Sequence, residues 1–275
     1  MLLIILLQRL IFIILINQLM DKIIKKNNKK ITIILPLLDK HHYTEIWLKN
    51  NIYDQYDYII ADGSYKNSNY NLFKNLKKKN IKYIRYEKDI SLSNFFFKMY
   101  DSSKFVKTKY TLTVDNDDFI NPSGINECVK QLEKNSKYNI ASGNIHYIFE
   151  KKNKYKLSSQ KMKFSAYKNN DKLDSIKNYF SLNNRFNNGY IYYSIYNTKI
   201  FRKVWKHIFE SKILDLYITE HLNTQLSFCF GKFLPVNTCH YIRVSNPSSR
   251  ATSSYDKNKR HLVENILFDK NEKNK

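Results

Sequence analysis

Three carboxylates crowd into four consecutive positions of the segment VDNDDF. Asp115, Asp117 and Asp118 repel one another unless a cation or a set of hydrogen-bond donors offsets their charge. A hard divalent ion such as Mg²⁺ or Mn²⁺ takes oxygen ligands and often completes its shell with substrate phosphates. The cluster therefore predicts a metal site, and the alternative is a solvated acidic turn that caps the next helix. An EF-hand is excluded, because Phe119 and Ile120 would stand where that loop needs an oxygen ligand and a glycine.

A second carboxylate, Asp62, follows the apolar run YIIA and begins an Asp-Gly-Ser turn. Because active sites of parallel sheets gather at the carboxyl ends of the strands, we expect Asp62 to open onto the same crevice as the acidic cluster. Gly63 allows a ligand to approach the backbone closely, so Asp62 could accept hydrogen bonds from a ribose or a base. The plainer interpretation is an ordinary turn.

Apolar runs and helical stripes alternate along the first half of the chain. Four runs are typical of buried parallel strands, at 31–38, 58–61, 81–86 and 110–114. Helices are expected at about 70–79, around the stripe Leu92, Phe95, Phe96 and Met99, and after Asn121-Pro122, with Ser123 as N-cap and the buried stripe Ile125, Cys128, Val129 and Leu132. Strands that alternate with helices predict an α/β fold with a Rossmann-like, mostly parallel central sheet.

The second half of the chain is less regular. A strand is expected at 138–149, followed by a Lys-, Asn- and Ser-rich excursion from 151 to about 184. Order is expected again at 186–204, in a helix near 215–228 and in a strand at 233–244. The predicted organisation is an N-terminal segment (1–30), one domain (31–245, with halves 31–150 and 151–245) and a polar tail (246–275).

Four motifs in order resemble the nucleotide-binding half of glycosyltransferase family 2, which has the GT-A fold. They are ITIILP, YIIADGS, the helix start SLSNFF and YTLTVDNDDFINPSGI, and together they cover about residues 31–150. The DNDDF form is similar to a bacterial subgroup of that family. The resemblance implies an enzyme that moves a sugar from a nucleotide-diphosphate sugar to a glycan or lipid-linked acceptor, with inversion at the anomeric carbon and with Mn²⁺ or Mg²⁺ as cofactor.

The resemblance also implies roles for individual residues. The nucleotide-sugar would be bound by Pro36, Asp62, Asn94, Asp115 and Asp118. The metal would be held by Asp117 and Asp115. Physically, the metal would offset the charge that builds on the departing nucleoside diphosphate.

Direct displacement also needs a base for the acceptor hydroxyl, and the family usually places an acidic residue near a helix start in its second half. The candidates are Glu220, which we prefer, and Asp215, which could instead cap the helix. The Glu-Asp pair common in the family is absent, and Thr219-Glu220-His221 stands in its place. This departure leaves the identity of the base open.

Other polar groups carry two interpretations each. His240, at the end of a predicted strand, could complete the coordination of the metal or could be a buried structural histidine. Arg243 and Arg250 could bind the diphosphate or lie in exposed loops. His41, His42, His146 and His221 show no spacing typical of metal ligands.

An aromatic run could stack against an acceptor sugar, although at this spacing the core or a sheet surface is the commoner explanation. It comprises Tyr190, Tyr192, Tyr193 and Tyr196. The Q-x-x-R-W motif of processive polysaccharide synthases does not occur in the sequence, and by resemblance this favours single transfers.

The net charge of +23 arises from 47 Lys and Arg residues, of which only 7 are Arg. A nucleic-acid reader is expected to favour Arg, so no nucleic-acid partner is predicted. Three cysteines without a C-x-x-C pair fit a reducing compartment.

The alternatives to a glycosyltransferase are a metal-dependent phosphotransferase or nucleotidyltransferase, and a non-catalytic basic protein associated with a membrane.

The first twenty residues are almost wholly apolar but include Arg9 near their centre. They are a poor signal peptide, since no basic region precedes them and no small-residue cleavage site follows. They are either a membrane anchor or an extension ahead of a natural start at Met20. In both cases the Lys-rich stretch that follows predicts a cytoplasmic domain, with peripheral or single-span attachment at the inner face of the membrane in the anchored case.

Overall fold

The structure, a computed structural model, describes residues 29–74, 76, 78–151, 154–160, 176 and 191–245. Within this part, the first half of the chain forms five strands and four helices. The strands are β1 (Ile31–Leu37), β2 (Asp57–Asp62), β3 (Ile81–Arg85), β4 (Tyr110–Thr113) and the short β5 (Phe119–Ile120). The helices are α1 (His41–Asn50), α2 (Ser68–Lys74), α3 (Leu92–Lys104) and α4 (Pro122–Lys134).

The described part of the second half adds four strands and two helices. The strands are β6 (Ile140–Lys151), β7 (Lys154–Gln160), β8 (Ile195–Asn197) and β9 (Phe233–Ser245). The helices are α5 (Thr198–Ser211) and α6 (Leu216–Phe230). The predicted N-terminal segment, apart from residues 29 and 30, and the predicted polar tail lie outside the described residues.

All nine strands join one sheet in the order β3-β2-β1-β4-β8-β6-β9-β5, with β7 paired to β6. The pairs among β1, β2, β3 and β4 are parallel, as the alternation of strands and helices predicted. Beyond β4 the sheet is mixed: β4–β8, β6–β8, β6–β7 and β5–β9 are antiparallel, whereas β6–β9 is parallel. The α/β fold is therefore confirmed, and the parallel part of the sheet is its first half.

The core follows the apolar runs of the sequence. Every residue of β4 is buried and only Pro36 in β1 is not, so both faces of these strands are covered. Helix α3 packs against the sheet through Leu92, Phe96 and Met99, and α4 buries the predicted stripe of Ile125, Cys128, Val129 and Leu132. On α5, the apolar stripe is Phe201, Val204, Trp205 and Ile208.

Several local predictions need correction. The N-cap of α4 is Asn121, not Ser123, because Pro122 takes the first helical position, where its missing N–H costs nothing. The excursion after 151 begins as strand β7, which continues the hairpin from β6. Helix α1 was not predicted, since its sequence HHYTEIWLKN buries only Thr44 and Trp47 and so lacks a clear apolar stripe.

Candidate active site

The acidic cluster, defined as Asp115, Asp117 and Asp118, lies in the turn between β4 and β5. Val114 continues the pairing of β4 with β1 by donating to the Ile34 carbonyl at 3.1 Å, and the chain then turns. One carboxylate oxygen from each of the three aspartates lies within 4.8 Å of the other two. The cluster thus sits at the carboxyl end of a central parallel strand, where the sequence predicted a crevice.

Two of these carboxylates are held by the second half of the chain. The Tyr241 hydroxyl donates to Asp118 Oδ2 at 2.8 Å and accepts from the Asp115 amide at 3.1 Å. The Val244 amide donates to Asp118 Oδ1 at 2.7 Å, and the Tyr193 hydroxyl donates to Asp115 Oδ2. Strand β9 therefore fixes the turn that carries the acidic cluster.

The carboxylates also raise one another's pKa. Burial is the main cause of the raised pKa of both Asp115 and Asp118, and the neighbouring carboxylates add to it. The Arg243 guanidinium opposes this increase at both residues, and it lies 5.3 Å from the centre of the Tyr193 ring. Arg243 is thus a resident counter-charge at the edge of the cluster.

The donor set fits a hard divalent cation. Three carboxylates supply oxygen atoms at close range, and burial, with the neighbouring carboxylates after it, raises the pKa of two of them, so a cation would stabilise their charged form. Asp117 is half-buried, and within the described residues its carboxylate has no hydrogen bond or ion pair. Among the three, Asp117 is therefore the carboxylate most available to a metal.

Asp62, at the end of β2, is bound by groups of the protein itself. Its side chain is fully buried, and its carboxylate accepts from the Ser64 amide at 2.9 Å, from Arg85 Nη1 at 2.7 Å and from the Tyr83 hydroxyl. The Asp62 carboxylate is thus bound within the protein, and its direct contact with a ribose or base stays a prediction. Arg85, whose side chain is 30% exposed, covers Asp62 and faces solvent in its place.

Pro36 and Asn94 lie near this edge in different roles. Pro36 is a half-buried residue of β1, in register with Ala61 of β2. Asn94 belongs to the first turn of α3, where its amide donates to Ser91 Oγ at 3.4 Å and its Oδ1 accepts from the Ser91 hydroxyl at 2.7 Å. The Asn94 side chain thus takes part in the cap of this helix.

Asp39 and Lys40, in the loop between β1 and α1, were not predicted from the sequence as part of the site. Asp39 and Lys40 both have positive φ, of 51° and 49°, which is uncommon outside glycine. The Asp39 carboxylate accepts from the amides of Tyr65 and Lys66, and Asn116 donates to the Lys40 carbonyl at 3.4 Å. The loop is thereby clamped between the turn after β2 and the acidic cluster. Lys40 also lowers the pKa of Asp115 through its charge, although less than Arg243 does.

The two candidate bases lie on or beside α6. Asp215 is the N-cap of this helix, and its Oδ1 accepts from the Ile218 amide at 2.9 Å, so the helix-capping interpretation is confirmed. Glu220 lies one turn further and is exposed. The pKa of Tyr192 is raised by burial first and then by the charges of Asp115 and Glu220. The charges of Glu220 and Asp115 therefore both act on the Tyr192 phenol.

His240 is not placed as a metal ligand. Its Nδ1 accepts from the Gly143 amide at 3.2 Å, and its Nε2–H donates to the Tyr193 carbonyl at 2.8 Å. Burial lowers its pKa to about 4, so the ring is neutral at pH 7. Because both ring nitrogens bind backbone groups, the geometry favours the structural interpretation, and the role of His240 as a metal ligand stays a prediction.

The aromatic run is largely part of the core. Tyr193 is buried and stacks on Tyr241 with ring centres 4.5 Å apart, and Tyr196 is buried with its hydroxyl donating to the Ile191 carbonyl at 2.7 Å. Stacking of either ring on an acceptor sugar is therefore excluded in this geometry. Tyr192 is half-buried, while Tyr190 and Arg250 lie outside the described residues.

Comparison with known proteins agrees with this geometry. The family model described as glycosyl transferase family 2 matches residues 46–230, and the chain belongs to this family. The crystal structure of S. aureus TarS 1–349 is similar, with a TM-score of 0.55 and 14% identity over 78% of this chain and 60% of that one. The same protein in complex with UDP-GlcNAc also has a TM-score of 0.55, with 15% identity over 86% of this chain and 65% of that one. At this level of identity the likeness concerns the fold.

The chain spans about 60–65% of the length of these TarS structures. No curated protein sequence matches it significantly. Among residues 29–245, as far as they are described, no helix is both long and apolar enough to cross a membrane.

Proposed function

We propose that the chain is a metal-dependent glycosyltransferase that moves a sugar from a nucleotide-diphosphate sugar to a glycan or lipid-linked acceptor. The observation that carries this proposal is the acidic cluster at the carboxyl end of β4, three carboxylates within 4.8 Å of one another in a member of glycosyltransferase family 2. TarS, which shares the fold, has been crystallised in complex with UDP-GlcNAc and with UDP. A nucleotide-sugar donor fits both the acidic cluster of this chain and the UDP-GlcNAc bound to TarS.

On the donor side, the metal would be held by Asp115, Asp117 and Asp118, as the resemblance implied for the first two. When bound, a divalent cation offsets the charge that develops on the leaving diphosphate. Lys40 and Arg243 add fixed positive charge beside the same carboxylates, which suits a diphosphate. The nucleoside would lie at the ends of β1 and β2, near Pro36. Asp62 would contribute by fixing the position of Arg85, to which its carboxylate is bound.

On the acceptor side, Glu220 is the proposed base. It is exposed on α6, and its charge acts on the same Tyr192 phenol as that of Asp115, which supports a place for Glu220 beside the donor. A carboxylate there removes the proton as the hydroxyl attacks the anomeric carbon and the nucleoside diphosphate leaves. This direct displacement inverts the anomeric centre, and NMR of the product would show the inversion.

The test is a panel of UDP-, GDP- and other nucleotide sugars, with donor binding measured by calorimetry with and without Mn²⁺. Wild type is expected to bind at least one donor in a metal-dependent manner and to release nucleoside diphosphate from it. Asp117→Ala should weaken donor binding about 100-fold or more, since it removes the most available metal ligand. Asp54→Ala, an exposed carboxylate outside the cluster, is the matched control and should bind like wild type.

Two results would contradict the proposal. One is the absence of donor binding by wild type with every nucleotide sugar in the presence of Mn²⁺ or Mg²⁺. The other is release of inorganic phosphate or pyrophosphate in place of the nucleoside diphosphate, which would indicate a phosphotransferase or nucleotidyltransferase instead.

A further inference from the structure

A buried ion pair lies next to the carboxyl ends of β1 and β2, outside the acidic cluster. We call these two strand ends, where the nucleoside is proposed to lie, the nucleoside edge. Lys98 on α3 and Asp89 in the loop after β3 form this pair, and each side chain is only 1% exposed. Neither residue stood out in the sequence. Lysine is among the residues least often buried, so a fully buried one calls for a physical reason.

The pair joins three strand ends. Lys98 Nζ donates to the Leu37 carbonyl, at the end of β1, at 2.9 Å, and to Asp89 Oδ2. The same Leu37 carbonyl accepts from the Gly63 amide, which follows β2, at 3.0 Å. The Asp89 amide, in turn, donates to the Gly63 carbonyl at 2.8 Å. Both backbone polar groups of Gly63 are therefore bound to residues that Lys98 contacts.

Gly63 also packs directly on the Asp89 side chain. A Cβ at position 63 would overlap the Asp89 carboxylate, so only glycine fits here. Asp89 Oδ1 is buried and, within the described residues, has no hydrogen-bond partner. The carboxylate therefore packs against Gly63 and is bound by Lys98 through its other oxygen, Oδ2.

This turn carries the polar groups of the nucleoside edge. Gly63 lies between Asp62, which binds Arg85 Nη1, and Ser64, whose carbonyl accepts from Arg85 Nη2. A shift of the Gly63 backbone would therefore move the anchors of Arg85. An error of about 1 Å in such a position can cost on the order of 100-fold in function.

We propose that Lys98 and Asp89 form a positioning pair, which fixes the turn at Gly63 so that the nucleoside edge of the crevice is in place before the donor binds. The pair does not touch the donor. This inference rests on the proposed function, because it assigns the nucleotide to the edge formed by β1 and β2.

Stability alone is a weak explanation for the pair. Removing two charges from water carries a penalty that their attraction often fails to repay, and neutral replacements of similar shape are often equally stable. Burial accordingly lowers the pKa of Lys98 and raises that of Asp89, while each partner opposes the effect on the other. Because the pair joins β1, β2 and the loop after β3, its placement points to a role in geometry.

The experiment compares wild type with the Asp89→Asn/Lys98→Met double variant, which removes both charges and keeps both shapes. The thermal midpoint of the double variant is expected to stay within a few degrees of wild type. Its Kd and KM for the donor are expected to rise about tenfold, while kcat changes less than twofold. Hydrogen exchange at the Gly63 and Asp89 amides should be faster than in wild type.

The control variant is Glu45→Gln/Lys49→Met, which removes an exposed i,i+4 ion pair with a Lys49 side chain that is 71% exposed. It should leave the donor Kd and both amides unchanged. Asp89→Glu keeps both charges of the pair but lengthens the side chain that packs on Gly63, and it should raise the donor Kd about threefold. This single variant decides the matter if the double variant does not fold.

The outcomes separate the two proposals. Donor binding by wild type, together with unchanged donor Kd in the folded variants, would overturn the positioning role and leave the proposed function intact. A lower thermal midpoint with an unchanged donor Kd would show that the pair is merely structural, and this would also overturn the inference. Failure of wild type to bind any nucleotide sugar would instead contradict the proposed function.

Discussion

The first and second halves of the chain contribute different groups to the crevice. Apart from Arg243, the first half supplies the charges around the strand ends: Asp62 with Arg85, Asp89 with Lys98, and the acidic cluster. The second half, from β8 to β9, supplies mainly neutral groups, which are the hydroxyls of Tyr193 and Tyr241, the Val244 amide and the neutral ring of His240.

The difference shows how a charged site is kept in shape. In the first half, Asp62 ends β2 and the acidic cluster follows β4, and both strands run parallel to β1, which lies between them, so these charges stand at the same edge of the sheet. The hydrogen bonds that orient Asp118 come from residues 123 and 126 positions away. Thus the first half brings the carboxylates together, and the second half determines the direction of their oxygen atoms.

The largest expected effect concerns Glu220, the acidic group of the second half that we propose as the base. Glu220→Gln should lower kcat by about 100-fold or more and leave the donor Kd within twofold of wild type, since only the base is removed. Release of nucleoside diphosphate from the donor measures the rate. Glu210→Gln, an exposed glutamate near the end of α5, is the control and should behave like wild type. A fully active Glu220→Gln would show that the base lies elsewhere.

The next largest effect tests the neutral character of His240. Its folded pKa of about 4 lies below the ordinary value of 6.5, so the unfolded chain takes up the proton first as the pH falls. The stability that His240 contributes is therefore full above about pH 6.5 and is lost as the pH falls towards 4. The loss should reach about 3 kcal/mol, at about 1.4 kcal/mol for each pKa unit.

Urea unfolding at pH 7 and at pH 4.5 measures this loss. In His240→Gln, whose amide can still donate to the Tyr193 carbonyl, the difference in unfolding free energy between the two pH values should shrink. An equal difference in wild type and variant would mean that His240 does not titrate as its burial requires.

A smaller effect is expected where the two halves meet. Tyr241→Phe removes the hydroxyl that joins the Asp115 amide to Asp118 Oδ2, and it leaves both groups without that partner. The free energy of unfolding should fall by roughly 2 kcal/mol. The donor Kd should rise severalfold, because the carboxylates lose part of their orientation. Retention of full donor affinity would show that the first half orients the acidic cluster without help from β9.

The smallest effect separates the two acidic candidates on α6. Asp215→Ala removes the N-cap bond to the Ile218 amide and should cost about 1 kcal/mol of stability. Its rate of donor turnover should stay close to that of wild type. A loss of turnover comparable to that of Glu220→Gln would make Asp215 the base after all.

Much of the first half could be predicted from the sequence. The runs 31–38, 58–61, 81–86 and 110–114 correspond closely to β1, β2, β3 and β4, since strands buried on both faces are continuously apolar. The acidic cluster was predicted because three carboxylates after such a strand need a cation. Helix α1 and the positive φ of Asp39 and Lys40 escaped prediction, since no glycine or apolar stripe marks them.

The sequence by itself determined which charges stand at the strand ends, because the side chains and their order along β1 to β4 depend on local patterns. Only the tertiary structure decided which of them remain available. The Asp62 carboxylate is bound by Arg85, and both ring nitrogens of His240 are bound by backbone groups. Asp117 alone in the acidic cluster has no hydrogen-bond partner among the described residues. The physical reason is that hydrogen-bond partners are set by distance in space, and the residues that meet here lie up to 126 positions apart.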